Sequence, residues 1–496
     1  MGARIRCQNA VPMRAKRFGL AALLALSLLI LLPFYTNGFW FDDALNGQIR
    51  PMLQRFESSV FDFSMRVTSL WMSNAGRLLL GWVNIYTMFY VLHEPLWARG
   101  FAMLLLMVHI GLFASVLGQL RARAGFILLV CLLLVSLFQI RGNHDPVAAY
   151  ASFYQTLGIQ FMAGTWLLLR WRETKKTWQI LASSLVVAWS LTYYEINLVF
   201  YPFALWVAWR EPGSRARALP ALLAPLAVFI AVTSWIKANA NSPYAGSSLG
   251  AIDNFPSTFL RQLHSTLPGS FYSMVGKHEL PPQQLLQSAI DNPWAWVLLV
   301  LGFGLAFVLM RRSEGKGLDP LIWPFAANLL IMPAALIAMS ARYQSEIRWG
   351  YGYLPVYYQY FGLAIFIAYA LTFCARRLSL AVAVSLIFGA YLALNFQMNM
   401  TVKARMDALF RQPRESFESA MRAGLMNDVR DGDVVRLVDA PIEINGNLIF
   451  GAVGKRVFVP DEVMTSGWFV ARKRQDARSF TVRRSNGTWE ISEDKP

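Results

Sequence analysis

Between residues 18 and 397 the chain carries eleven near-continuous apolar runs of fifteen to twenty-one residues. Runs of this length match helices crossing about 30 Å of hydrocarbon, which takes about 20 residues. They lack the period-two alternation of a transmembrane barrel strand and the charged face of a water-exposed helix. Composition agrees, with 56% hydrophobic residues, 15% charged residues and a mean hydropathy of +0.39; a soluble domain carries about 25% charged residues. A water-soluble enzyme, a disordered chain and a β-barrel are excluded. The expected fold class is an all-α polytopic membrane protein.

The first run, 18–34, follows Arg4, Arg6, Arg14, Lys16 and Arg17. A basic flank also opens signal peptides, but Tyr35–Trp40 offers no small-x-small cleavage site, so an uncleaved first span with a cytoplasmic N-terminus is expected. Further runs lie at 99–119, 125–140, 155–169, 178–193, 195–209, 218–236, 294–310, 320–340, 354–374 and 379–397. The runs 155–169 and 195–209 are short for spans. One more candidate, Leu78–Leu92, decides the topology. If it spans, the clusters Arg121/Arg123, Arg170/Arg172/Lys175/Lys176, Arg210/Arg215/Arg217, Arg311/Arg312/Lys316 and Arg376/Arg377 all lie outside. If it does not, all are cytoplasmic, as the positive-inside rule requires. Trp82, Asn84, Tyr86 and Tyr90 within it suit a helix lying in the interface. Eleven spans result, with external segments 36–98, 141–154, 237–293 and 341–353 and an external tail.

Residues 1–397 thus form the membrane domain, and 398–496 a small soluble α+β domain. In that tail a helix is expected around Glu415–Leu425, followed by strands at Asp433–Val438, Gly454–Val459, Trp468–Ala471, Phe480–Arg483 and Trp489–Ile491. Asn445-Gly446 and Asn486-Gly487 are expected as turns. The net charge of +17 does not indicate nucleic acid: 19 of the 46 Lys and Arg lie at the N-terminus or in the five cytoplasmic loops, and the tail balances 16 basic against 14 acidic residues. Cys7, Cys131 and Cys374 form no disulfide framework or zinc motif.

Ionisable residues at the outer ends of spans carry the chemical information, because charge near lipid is costly. Phe39-Trp40-Phe41-Asp42-Asp43 sets two carboxylates among three aromatics, which suits a general base and equally an aromatic belt with a helix cap. Asn143-His144-Asp145-Pro146 reads as a metal site at His144 and Asp145, with a divalent cation as candidate cofactor, or as a turn. Tyr193-Tyr194-Glu195 joins two abutting spans and keeps Glu195 at the membrane surface. In Arg342-Tyr343-Gln344-Ser345-Glu346-Ile347-Arg348, followed by Trp349 to Pro355, Arg342 and Arg348 could grip phosphate. Tyr343 and Tyr351 could stack on a sugar or isoprenoid; the alternative is an interfacial anchor with Arg–Glu pairs through Glu346. His109, mid-run, reads as a hydrogen-bond partner within the bundle and not a ligand, and His264 and His278 have no partner at metal spacing.

This layout resembles the C-type glycosyltransferase superfamily, whose members use polyprenyl-phosphate-linked sugars on the outer face of the membrane. They include protein O-mannosyltransferases and the bacterial enzymes that add aminoarabinose to lipid A. The resemblance covers residues 1 to about 397. Asp42-Asp43 matches the acidic pair of the first external loop, Leu78–Leu92 the juxtamembrane helix, Asp145 the second acidic site, and the Arg-Tyr and Tyr-Leu-Pro elements of 342–355 the late external loop. Asp43 replaces the usual Glu, and the Pro-Pro that commonly begins the juxtamembrane helix is absent after Gly76-Arg77.

The resemblance implies a glycosyltransferase of the bacterial inner membrane with a periplasmic site, and a glycan, lipid or protein such as a pilin as acceptor. Asp42 and Asp43 would be catalytic, with Asp42 the base of an inverting displacement. Arg77, at the start of the interfacial helix, would bind the donor phosphate with Arg342 and Arg348, and Tyr194, Glu195, Tyr343, Glu346 and Tyr351 would contact substrate. Membrane lipids are the other expected partner, and nucleic acid is not. The alternatives are an O-antigen polymerase or ligase, which would want a larger late loop, and a lipid-linked sugar flippase or transporter, which would want mid-bilayer charge and inverted repeats.

Overall fold

The computed structural model describes residues 13–40, 42–142, 145–274, 276–278, 280–313, 317–441, 444–460, 476–485 and 487–494. The chain is mostly helical, with one small three-stranded sheet. Five helices are long and apolar enough to cross a membrane: Pro95–Gln119, Arg215–Ala238, Pro293–Arg312, Val356–Cys374 and the continuous Leu378–Arg422. Shorter apolar helices include Ala124–Leu137, Thr177–Leu191 and Ile322–Ala338. Buried aliphatic and aromatic side chains from these elements merge into one core. Leu223, Val228, Ile230, Val232 and Trp235, by contrast, leave one helix with a bare apolar face. An apolar face of that kind is stable against hydrocarbon and not against water.

Of three expectations about the runs, two change and one holds. The run 155–169 sits within a helix of 22 residues, Phe153–Thr174, about 33 Å long at 1.5 Å per residue, so it is not short. The apolar count stopped at Arg170, whereas the backbone continues through Arg172 and Glu173 on the flexible reach of those side chains. The run 195–209 is short: it opens as a 3-10 turn, Glu195–Val199, before the α-helix Phe200–Trp209. The boundary at 397 falls inside a helix that continues from Leu378 through a π-turn at Asp407–Arg411 and on to Arg422. The indole N–H of Trp40 donates to Asp407 Oδ1 at 3.1 Å, and Lys403 Nζ pairs with Oδ2 at 2.8 Å.

The interfacial stretch forms a helix only over Trp82–Val91, about 15 Å long and so too short to span. Arg77 lies five residues before it and therefore not at a helix N-terminus, contrary to expectation. Gly76 causes the difference. It closes the π-turn Trp71–Ala75 with φ +70, and a Cβ there would meet Lys237 Cα at 2.9 Å, so the chain turns sharply and delivers Arg77 sideways.

In the tail, β1 (Val434–Val438) runs parallel to β2 (Ser479–Ser485), and β2 pairs antiparallel with β3 (Thr488–Glu493). The segment 454–459 contributes a single bridge, Val434 to Phe458, and Trp468–Ala471 and Asn486 lie outside the described residues. Asn445-Gly446 is not a hairpin turn but the start of a helix, Gly446–Val453. Asn445 Oδ1 caps it by accepting from the N–H groups of Asn447 and Leu448 at 3.0 and 3.2 Å, the commonest way to satisfy orphan N-terminal donors.

Candidate functional site

A cavity of about 1240 Å³ opens between the 36–98 segment, the 150–154 segment, the 193–194 turn and the 342–354 segment, and the tail reaches its rim. Asp42, Asp43, Arg77, Tyr194, Arg342, Tyr343, Glu346, Arg348 and Tyr351 all line it. Glu195 lies behind the lining, where it holds Arg77.

The two adjacent carboxylates have opposite environments. Asp43 is 1% exposed; its Oδ2 accepts from Arg99 Nη1 and from the Ala151 N–H, both at 2.9 Å. Arg99, 0% exposed, spends its second nitrogen on Gly38 O at 2.9 Å. Burial pushes Asp43 up to about 6, while Arg99 and the Ala151 N–H pull the other way. Asp43 is thus the buried joint between the 36–98 segment, the helix Pro95–Gln119 and the 150 segment. Asp42 is half-buried, and its charge acts on the Tyr150 phenol across the cavity lining. Burial and the Asp42 charge both raise the Tyr150 phenol far above its ordinary value, so Tyr150 stays a donor.

Arg77 is clamped. Its Nε and Nη2 donate to Glu195 Oε1 and Oε2 at 3.0 and 2.5 Å, and its guanidinium carbon lies 4.8, 5.4 and 6.0 Å from the rings of Tyr244, Tyr194 and Trp71. Burial disfavours its charge, but the Glu195 carboxylate outweighs that and holds it above the ordinary arginine value. Its fork is therefore engaged with a carboxylate and not open to a phosphate. Arg342 is engaged more loosely, with Nε on Glu346 at 2.6 Å and Nη1 on the Tyr244 hydroxyl at 2.8 Å, and its side chain is 40% exposed. Arg348 is exposed and makes no ion pair among the described residues. Hydroxyls connect the wall: Tyr244 to Tyr343 at 3.1 Å, and Tyr343 donating to Tyr353 at 3.0 Å.

Asp145 does not reach the cavity. It is 1% exposed and caps its own loop, with Oδ1 accepting from Val147 and Ala148 N–H at 2.8 and 2.6 Å and Oδ2 from Arg141 N–H at 2.9 Å. With both oxygens committed it does not suit a cation ligand; His144 lies outside the described residues. No cluster of three or more His, Cys, Asp or Glu suited to a metal occurs among the described residues. Arg141 ties the same loop to the late one, donating to Tyr351 O at 2.8 Å and to the Tyr360 hydroxyl through Nε at 3.0 Å.

Sequence reasoning missed Tyr150, Tyr154, Tyr244, Asn445 and Asn447 on the lining. The tyrosines carry no motif, and Asn445-Gly446 read as a turn. The tail reaches the rim because Arg55, 3% exposed, donates to Asn447 Oδ1 at 2.9 Å and to Val457 O at 2.7 Å. Gly446 permits the approach, since a Cβ there would sit 2.5 Å from Arg55 Nη1. No protein-family model matches the chain, and no curated protein matches it.

Proposed function

We propose that this chain is a membrane glycosyltransferase of the C-type kind, moving a sugar from a polyprenyl-phosphate donor to an acceptor on the outer face of the membrane. The observation that carries the reading is the meeting of Asp42 with Arg342 and Arg348, from opposite parts of the sequence, on one cavity beside apolar helices. In this reading the chain spans the bacterial inner membrane eleven times and the cavity opens to the periplasm. An acceptor hydroxyl attacks the anomeric carbon, Asp42 takes its proton, and the bond from that carbon to the phosphate oxygen breaks with inversion. Arg348 and Arg342 balance the charge gathering on the departing lipid phosphate. Arg77 passes from the phosphate-binding set to the framework, because Glu195 already fills its fork.

The test is sugar transfer by the purified protein from polyprenyl-phosphate donors, with release of the lipid phosphate followed alongside. Turnover that depends on Asp42 supports the reading; no release from any such donor ends it.

A further inference from the structure

The tail domain supplies a hydrogen-bonding group to the cavity that the donor chemistry above leaves unused. Asn445 and Asn447 are the only tail residues on the described lining. They are 5% and 3% exposed. The two side chains are spent differently. Asn447 Oδ1 receives Arg55, so this carboxamide belongs to the joint. Asn445 Oδ1 is consumed by the helix cap, while its Nδ2 donates to no described residue. Its oxygen is fixed by two backbone N–H groups, so the amide cannot flip and its NH2 is presented as a donor only. Several contacts hold the joint: Arg55 spans to Asn447 and Val457, Arg456 pairs with Glu57 at 2.8 Å, and Gly451 seats against Pro51.

Position identifies what that donor meets. The tail docks on helix Ile49–Arg55, which follows the Asp42 helix Asp42–Asn46 by two residues. A ligand arriving past a polar domain comes from water, whereas a lipid-linked donor arrives along the apolar helices. Asn445 is uncharged, and Trp349, 45% exposed, offers an aromatic face on the same lining. A neutral amide donor together with an open aromatic ring suits the hydroxyls and C–H faces of a sugar.

We propose that Asn445 is an acceptor-recognition residue and that the acceptor is a carbohydrate, an inference that rests on the glycosyltransferase reading of the same cavity. Asn445→Asp separates recognition from architecture. Aspartate caps a helix as well as asparagine but has no N–H to donate. The full-length protein is assayed with one polyprenyl-phosphate sugar donor and two acceptor panels, neutral oligosaccharides and serine/threonine peptides, with donor hydrolysis by water as the internal reference. The expected result is transfer to an oligosaccharide and a KM for it about tenfold higher in Asn445→Asp, with the oligosaccharide KM rising by more than any change in donor KM measured alongside it. Asn445→Ala should show the same KM effect plus a lower Tm from the lost cap. An unchanged oligosaccharide KM in Asn445→Asp, or transfer to peptides alone, overturns the inference while leaving the glycosyltransferase reading intact. Wild-type protein that neither transfers nor hydrolyses any donor removes that reading itself.

Discussion

Arg77 and Glu195, 118 residues apart in the chain, meet as a two-point ion pair with Nε 3.0 Å from Oε1 and Nη2 2.5 Å from Oε2. The pair pins the 36–98 segment to the turn between two abutting helices. Arg77→Ala and Glu195→Ala should each destabilise by about 1–3 kcal/mol, between the values for exposed and buried pairs. A double-mutant cycle on thermal unfolding in detergent should return coupling of about 1 kcal/mol or more. Additive single mutants would mean the pair holds nothing.

Asp42→Asn should lower transfer by about 10²–10⁴ with Tm preserved, since only proton acceptance is lost. Asp43→Asn should behave oppositely. It leaves Arg99 buried beside a neutral amide, and breaking a buried pair costs about 3–5 kcal/mol. Activity per folded molecule and Tm, measured together on both variants, separate the roles.

Asp145 makes a pH-dependent contribution. Burial raises its carboxyl from 3.8 to about 6 despite three backbone N–H donors. The folded state then binds this proton more tightly than the unfolded chain does. Its contribution is complete below about pH 4, declines as pH rises toward about 6, and is flat above that. The stability difference between wild type and Asp145→Asn should therefore shrink by about 3 kcal/mol across that window. Denaturant unfolding at pH 4, 5, 6 and 7 measures it, and a difference that grows with pH contradicts the assignment.

Arg55→Met keeps the volume but removes the hydrogen bonds to Asn447 and Val457 of the tail. A loss of about 2–3 kcal/mol of docking follows from hydrogen bonds made by a charged group. Limited trypsin digestion should then release a C-terminal fragment by cutting near Arg411 or Arg422, which the docked protein resists.

Single cysteines placed at residue 95 and near the C-terminus should react with an impermeant thiol reagent from outside, and those at Arg123 and Lys175 only from the cytoplasm. Labelling of residue 95 from the cytoplasm would make Trp82–Val91 part of a span and dismantle the eleven-span layout.

Some of this protein was legible in its sequence and some was not, and the division follows the range of the forces. Where the apolar runs lie, and that the chain is helical, follow from local composition, because burial of consecutive apolar side chains needs no knowledge of partners. The candidates Asp42, Arg342 and Arg348 were visible as charges beside aromatics at the ends of runs. Which of two neighbouring aspartates would be buried was not. Asp43 and Asp42 are identical locally, and only the arrival of Arg99 and the Ala151 N–H separates them. Arg77 read as a phosphate ligand because Glu195 lies 118 residues away. Asp145 read as a metal ligand because its backbone donors come from a loop conformation that periodicity does not encode. Asn445 read as a turn, and only Arg55, a residue about 390 positions away, brings its helix to the cavity rim. Hydrophobic patterning sets elements one at a time, but hydrogen bonds and ion pairs are satisfied between them, so packing alone decided which charges face the cavity and which hold it together.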